Sequence, residues 1–302
     1  MVQILQGQLI LLWLGAGLRA SWTALRRVAW RGRLKQTTKN VPLLLVIVVL
    51  TVWAYPASGQ TSPVDKDSDI TTDRPDVTEA STVVPAGSLQ IENGLTWTSD
   101  HGRRIFDLSE SLVRIGVSRG TELRVGVPDY LDGLSGRHLT SGFGDASVGL
   151  KQQLGPLAGN FDLAAIVALT IPTGHRGITS GGFGPFIKLP WSKELTSAWS
   201  VGGMQSLFWN TEMSRRNLVW EPAFYMEWQL TKPMDVFAEY VGDYAQRGEA
   251  QQIAHFGLAY KITPLSQVDL HFGFGLSHTA PNRFIGAGYS FRVDHLFRRR
   301  HG

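Results

Sequence analysis

Ten charged side chains and one histidine recur on one parity of alternating segments: Glu92, Arg114, Glu122, Arg124, Asp145, Lys151, Glu227, Glu239, Lys261, Asp269 and His271. Mixed acids and bases at that spacing suit the lining of a polar passage, where their charges select which solutes enter. The same set also suits a filled lumen, in which opposite charges in a narrow barrel neutralise one another. Both readings put these residues on an inner wall. An Arg or Lys turned toward lipid at the membrane midplane would cost roughly 2–4 kcal/mol.

Catalytic and metal chemistry find less support. The eight histidines (His101, His138, His175, His255, His271, His278, His295 and His301) form no HExxH and no pair at helical spacing, so a zinc hydrolase has no basis. No Gly-x-Ser-x-Gly elbow occurs. Ser290 and His271 fall on the inward parity, whereas a membrane-embedded lipase presents its Ser and His on the outer wall. Gly142-Phe143-Gly144 and Gly181-Gly182 lack the strand–turn–helix setting of a phosphate loop and read as tight turns or close strand packing. The chain has no cysteine, which excludes disulfides and thiolate ligands. The expectation is no enzyme, no cofactor and no resident metal.

The elements that position the charged set have a period of two. Leu89, Ile91, Leu95 and Trp97 share one face, and Gln90, Glu92, Gly94 and Thr96 the other. Successive strand side chains point to opposite sides, so one wall is apolar and one polar. Val113, Ile115 and Val117 alternate with Arg114 and Gly116, then the turn Ser118–Thr121 leads to Leu123, Val125 and Val127 alternating with Glu122, Arg124 and Gly126. The pattern recurs near residues 145–151, 218–230, 235–240, 255–262, 267–275 and 285–293, with weaker runs at 162–171, 183–191 and 197–208. About twelve strands result, most of ~9–11 residues, the length a tilted strand needs to cross a bilayer. Trp97, Trp199, Trp220, Trp228, Tyr240, Tyr260 and Tyr289 sit on the apolar parity near strand ends, as girdle aromatics do. With no helical stripe after residue 60, closure into a barrel is the remaining way to satisfy the backbone in lipid. The fold class is therefore all-β, a transmembrane antiparallel β-barrel of about 12 strands over residues 86–293.

What precedes the strands reads as export. Residues 42–53 are a short apolar run, preceded by basic residues and followed by Ala57-Ser58-Gly59, the form of a secretory signal with cleavage after Gly59. A second apolar patch spans Ile4 to Leu18, and Met1 is the only methionine before Met204. Residues 1–59 carry seven Lys or Arg and no acid, leaving 22 basic and 25 acidic residues in the remainder. The pI of 9.4 thus belongs to the leader, and nucleic acid is not an expected partner. Residues 60–85 are a polar arm or plug rich in acids (Asp65, Asp67, Asp69, Asp73, Asp76, Glu79), without the spacing of an EF-hand. Residues 294–302 form a basic tail.

Several stretches resemble the outer-membrane barrel family labelled after the meta pathway of phenol degradation. They are Thr72–Glu79, Val84–Glu92, Gly142–Asp145, Pro172–Gly174, Gln267–Leu270 and Gly286–Arg292, in an order and spacing that cover residues 70–293. The resemblance implies a barrel of this size in the outer membrane, passing small solutes, aromatic ones among them. The label defines no substrate. The chain departs from the usual barrel terminus, since Phe291-Arg292-Val293 is followed by nine further residues. Outer-membrane lipid, a small-molecule solute and the barrel-assembly machinery are the expected partners. The rival readings are a plugged structural or adhesion barrel, and a soluble periplasmic β-protein holding an apolar ligand.

Overall fold

The computed structural model describes residues 68–133, 141–157, 161–212 and 215–296. The leader, the first part of the arm, His138, His301 and most of the basic tail lie outside the described residues.

Fifteen strands follow one another: β1 (Leu89–Asp100), β2 (Arg103–Leu108), β3 (Ser111–Gly116), β4 (Thr121–Val127), β5 (Tyr130–Gly133), β6 (Gly142–Phe143), β7 (Ala146–Gln153), β8 (Phe161–Ile171), β9 (Gly184–Glu194), β10 (Trp199–Glu212), β11 (Arg215–Thr231), β12 (Met234–Ala245), β13 (Gln251–Thr263), β14 (Ser266–Gly275) and β15 (Arg283–Val293). Each pairs antiparallel with its neighbours, and β1 closes on β15 from Leu89↔Val293 to Ser99↔Arg283. Three staves of the barrel are broken. β1 pairs with β3 in its first half and β2 in its second, so β2 and β3 are one stave interrupted at Ser109–Glu110. The β4/β5 and β6/β7 staves are interrupted at Pro128–Asp129 and Gly144–Asp145. Counted by staves, the closed barrel has twelve, as the alternation predicts.

The two faces separate by chemistry. On β14, Leu270, Phe272 and Phe274 are exposed while Gln267, Asp269 and His271 are buried. Leu218, Trp220, Phe224, Met226, Trp228 and Leu230 do the same along β11, against Asn217, Glu221 and Ala223 within. An apolar band that wide on a closed sheet has only lipid to cover it. Trp199 and Trp228 stack at 5.5 Å near one rim, and Trp220 meets Tyr244 at 5.3 Å toward the other. The terminal rim, where β1 begins and β15 ends, carries tight turns such as 232–233 and 264–265. The far rim carries longer loops, including 172–183 and 276–282. The barrel is thus a transmembrane barrel of the outer-membrane type.

Replacing Phe272, half-exposed on the outer face, by Arg should destabilise the protein by roughly 2–4 kcal/mol if it lies near the midplane. Denaturant titration in phospholipid vesicles measures this. An unchanged midpoint would mean that this face does not meet lipid.

Candidate functional site

The lumen is occupied by the chain's own arm, residues 68–88. It enters at the terminal rim, where Ile70 N donates to Pro264 O (2.7 Å) and Arg292 Nη2 donates to Ser68 O (2.7 Å). It runs inward to Asp76–Thr78 and returns, and Gly87 N donates to Gly116 O (2.8 Å). The arm pairs with no strand. Its amide hydrogens must still be satisfied, and side chains of the wall do this. Glu92 accepts from Asp73 N (2.9 Å), Glu239 from Val77 N and Thr78 N (2.8 Å each), and Glu122 from Val84 N (2.8 Å).

Asp73 is the main anchor. Its carboxylate meets Arg124 at 2.5 Å, Lys151 at 3.1 Å and Arg114 at 3.4 Å, and accepts from Ala80 N (2.8 Å), which ties the arm's two limbs together. Arg114 also pairs with Glu92 (2.8 Å) and, through Nε and Nη2, with both oxygens of Glu122 (2.9 and 3.0 Å). Arg124 continues to Glu122 (2.7 Å) and to Glu79 on the returning limb (2.7 Å). All of these side chains are buried or nearly so, where charge-assisted hydrogen bonds are strongest and a missing partner costs most. A second anchor is Arg74, bonded to Glu110 (2.5 Å) and Asp269 (3.3 Å). Its guanidinium lies against Gly94 and Gly288, where a Cβ would overlap it. The tip rests on a relay: Glu239 bonds His255 Nδ1 (2.9 Å), and His255 Nε2 meets His271 Nδ1 (3.1 Å).

The eleven lumen candidates therefore divide. Glu92, Arg114, Glu122, Arg124 and Lys151 converge on Asp73, Asp269 joins Arg74, and Glu239 and His271 belong to the histidine relay. Asp145 stands apart, at the β6/β7 break rather than within a strand, where it accepts from Gly174 N (2.9 Å) and Ser180 N (2.8 Å) and so holds the 172–183 loop. Glu227 is half-buried beside Ser200 (3.3 Å), and Lys261 reaches Asp69 near the terminal rim (3.5 Å). Ser290 and His271 are both buried. Glu221 shares the inward parity of β11 although it is not among the eleven, and parity gives no signal for Lys188, Glu110 or Asp129. Lys188 lies in a run whose alternation is irregular, and Glu110 and Asp129 occupy stave breaks, where parity carries no information.

Beyond the arm's tip the lumen opens into a cavity of about 290 Å³. Arg74, Asp76 and Glu79 line it from the arm, Glu110 and Asp129 from the broken staves, and Phe186 and Phe208 from the opposite wall. Ile178 of the 172–183 loop also lines it and is buried.

Residues 72–293 match the family described as "Putative MetA-pathway of phenol degradation". The chain belongs to this family. The match includes the docked part of the arm as well as the barrel, so arm and barrel fall within one family domain. An outer membrane channel of the COG4313 group from Pseudomonas putida F1 is similar in structure, with 15% identity and a TM-score of 0.56, over 73% of this chain and 99% of that one. The NanC porin aligns over 68% of this chain and 100% of its own, at 12% identity and a TM-score of 0.49. None of the curated proteins compared matches the chain.

Protonation acts on the arm in two opposed ways. Burial works to raise the Asp73 carboxyl, but Arg114, Lys151 and Arg124 outweigh it and hold the group well below its ordinary 3.8. Its contribution to docking is complete above that value and lost only as pH falls through the depressed one. Asp76 is the reverse. Burial and then the charges of Glu239 and Glu227 push it well above 3.8, so its protonated form favours docking, and that contribution is lost as pH rises through the raised value. Hydrogen exchange at the Val77 and Thr78 amides, corrected for intrinsic rates, should show protection declining with rising pH. Asp76→Asn should flatten the decline and Asp73→Asn should remove protection at neutral pH. An identical pH profile for wild type and Asp76→Asn would refute the assignment.

Proposed function

We infer that this chain is an outer-membrane barrel for passive passage of small solutes, and that its arm closes the passage at rest. The observation that carries the reading is how the arm is held. It fills the lumen without strand pairing, through ion pairs and side-chain contacts that water can replace, and it ends below a cavity that continues toward the far rim. The arm's most buried apolar side chains, Ile70, Val83 and Val84, lie on the limbs near the terminal rim. At the tip, Val77 packs against Ala223, Val241, Ile253, Ala280 and Phe284. The fold shared with a channel of the outer membrane supports the same reading. The Phe186–Phe208 wall supports aromatic compounds among the solutes, consistent with the family's label.

In this reading residues 1–59 direct export and are removed. The terminal rim faces the periplasm, so the arm docks from that side, and the assembly machinery reads β15 despite the residues beyond it. The lumen residues act as anchors and as charge filters, with no catalytic step.

Conductance of the refolded mature protein in a planar bilayer tests this. The intact chain should give rare or small openings, and deletion of residues 60–82 should give stable discrete steps. Glu239→Gln combined with Lys261→Gln should alter ion selectivity of the open form. A folded protein that stays silent in both forms would be a filled structural barrel, and the transport reading would fall.

A further inference from the structure

The cavity beyond the arm has a charge imbalance. Eight of its lining residues are acidic and three, Arg74, Arg124 and Lys188, are basic. Adding the ion-paired groups directly behind them, Arg114, Lys151, Glu122 and Asp269, gives ten acids against five bases. The bases are committed: Arg74 to Glu110 and Asp269, Arg124 to Asp73, Glu79 and Glu122, and Lys188 to Glu79 at 2.5 Å.

Four of the lining acids, Asp76, Asp129, Asp145 and Glu221, join no ion pair among the described residues, and Glu221 stands in a telling place. Glu221 on β11 is 1% exposed, lines the cavity, and its Oε2 receives no hydrogen bond among the described residues. Ser206, directly across from it on β10, is equally buried and its Oγ is also without a partner. The cation on the same row, Lys188, is bonded to Glu79, and a buried carboxylate without donors is costly. Next to this pair the rings of Phe186 and Phe208 lie 5.4 Å apart, and the Lys188 ammonium sits 5.7 Å from each centroid. The two rings already face a cation, in the geometry by which aromatic faces attract one. Behind them the wall continues apolar, through Ala168 and Val219.

We propose that this cavity is a binding site for a small amphipathic organic cation, with its ammonium group at Glu221 and its apolar body against Phe208 and Phe186. The proposal rests on the passage reading and names the solute class for it. An ammonium donates to the free oxygen of Glu221 and supplies positive charge among the surplus acids of the cavity. A bare metal ion is less suited, since no three acidic or histidine side chains converge to ligate one among the described residues. An anion would meet the surplus carboxylates. The volume admits a body of about one ring, at the lower bound of roughly 300 Å³ for small-molecule sites.

Three probes with one skeleton test the assignment: 2-phenylethylammonium, 2-phenylethanol and phenylacetate, titrated calorimetrically into the full mature protein in detergent at neutral pH. The ammonium should bind at least roughly tenfold more tightly than the alcohol, and phenylacetate should not bind. Glu221→Gln, checked for folding by heat-modifiable gel mobility, should abolish the preference for the ammonium over the alcohol. If that variant does not fold, Phe208→Leu serves instead and should weaken the ammonium more than the alcohol. Equal affinity for ammonium and alcohol in the wild type, or no binding by either, overturns the proposal, as does a preference that survives in a folded Glu221→Gln. Bilayer conductance is read separately. Ammonium binding to a protein silent with and without its arm would sink the passage reading while leaving the site standing, and conductance without ammonium selectivity would do the opposite.

Discussion

Arg114, Arg124 and Lys151 stand on three neighbouring staves, β3, β4 and β7, and all turn into the same part of the lumen. Three buried cations at that spacing repel one another, and the low dielectric that excludes water magnifies the repulsion. Glu92 and Glu122 on the wall compensate part of it, and the rest comes from two carboxylates that belong to no strand, Asp73 and Glu79. The barrel's own charges therefore call for the arm. Removing one member of such a buried network leaves an uncompensated charge, which typically costs about 3–5 kcal/mol. The arrangement specifies where the arm docks more than it stabilises the barrel, since well-packed apolar residues could fill the same volume at no greater cost.

Antiparallel register turns this local chemistry into a division of the whole lumen. One row around the wall runs Arg114↔Arg124↔Gly149↔Ala168↔Phe186↔Phe208↔Val219. It begins in charge and ends in aromatic and aliphatic side chains. The adjacent row runs Glu122↔Lys151↔Ile166↔Lys188↔Ser206↔Glu221. The charged halves of both rows lie against the arm, and the Phe186–Phe208 part of the apolar half faces the cavity. Docking and solute contact therefore use different sectors of one wall, bridged by Lys188, which carries Glu79 of the arm at its ammonium while lying over the two rings.

The strands, their number and the inward parity were legible because alternation is a local signal, and lipid outside with charge inside makes it strong. Leu270, Phe272 and Phe274 against Asp269 and His271 could be read from β14 alone. What could not be read is which inward charges meet. Arg114 and Glu239 share a parity, yet one grips Asp73 and the other the tip amides, and that difference is set by register and barrel stagger across distant staves. The stave breaks hid the rest. At Ser109–Glu110, Pro128–Asp129 and Gly144–Asp145 the period of two is lost, so Glu110 and Asp129 carry no parity signal, and Asp145, which the alternation puts on a strand, clasps a loop. Glu221 was readable as inward. Its lack of a partner was not, because that depends on Lys188 having turned to the arm.

The glycines of the polar face acquire a reason from the arm. In the sequence Gly94 and Gly116 read only as members of the polar face. In the lumen Gly94 and Gly288 leave the space in which the Arg74 guanidinium lies, and a Cβ at Gly116 would strike the Pro85 carbonyl of the returning limb. A segment without a partner strand can thread a narrow barrel only where the wall both recedes and offers acceptors, because each buried amide left unpaired costs free energy comparable to a lost hydrogen bond. Glycine meets the first need and carboxylates the second. Their alternation on the inner face of β1, with Glu92 bonding the arm's backbone and Gly94 admitting its Arg74 side chain, shows the two requirements met two residues apart on a single strand. The inward face of this barrel is thus shaped as the complement of its own arm, and the cavity is the part of the lumen that the arm, turning back at Asp76–Thr78, does not reach.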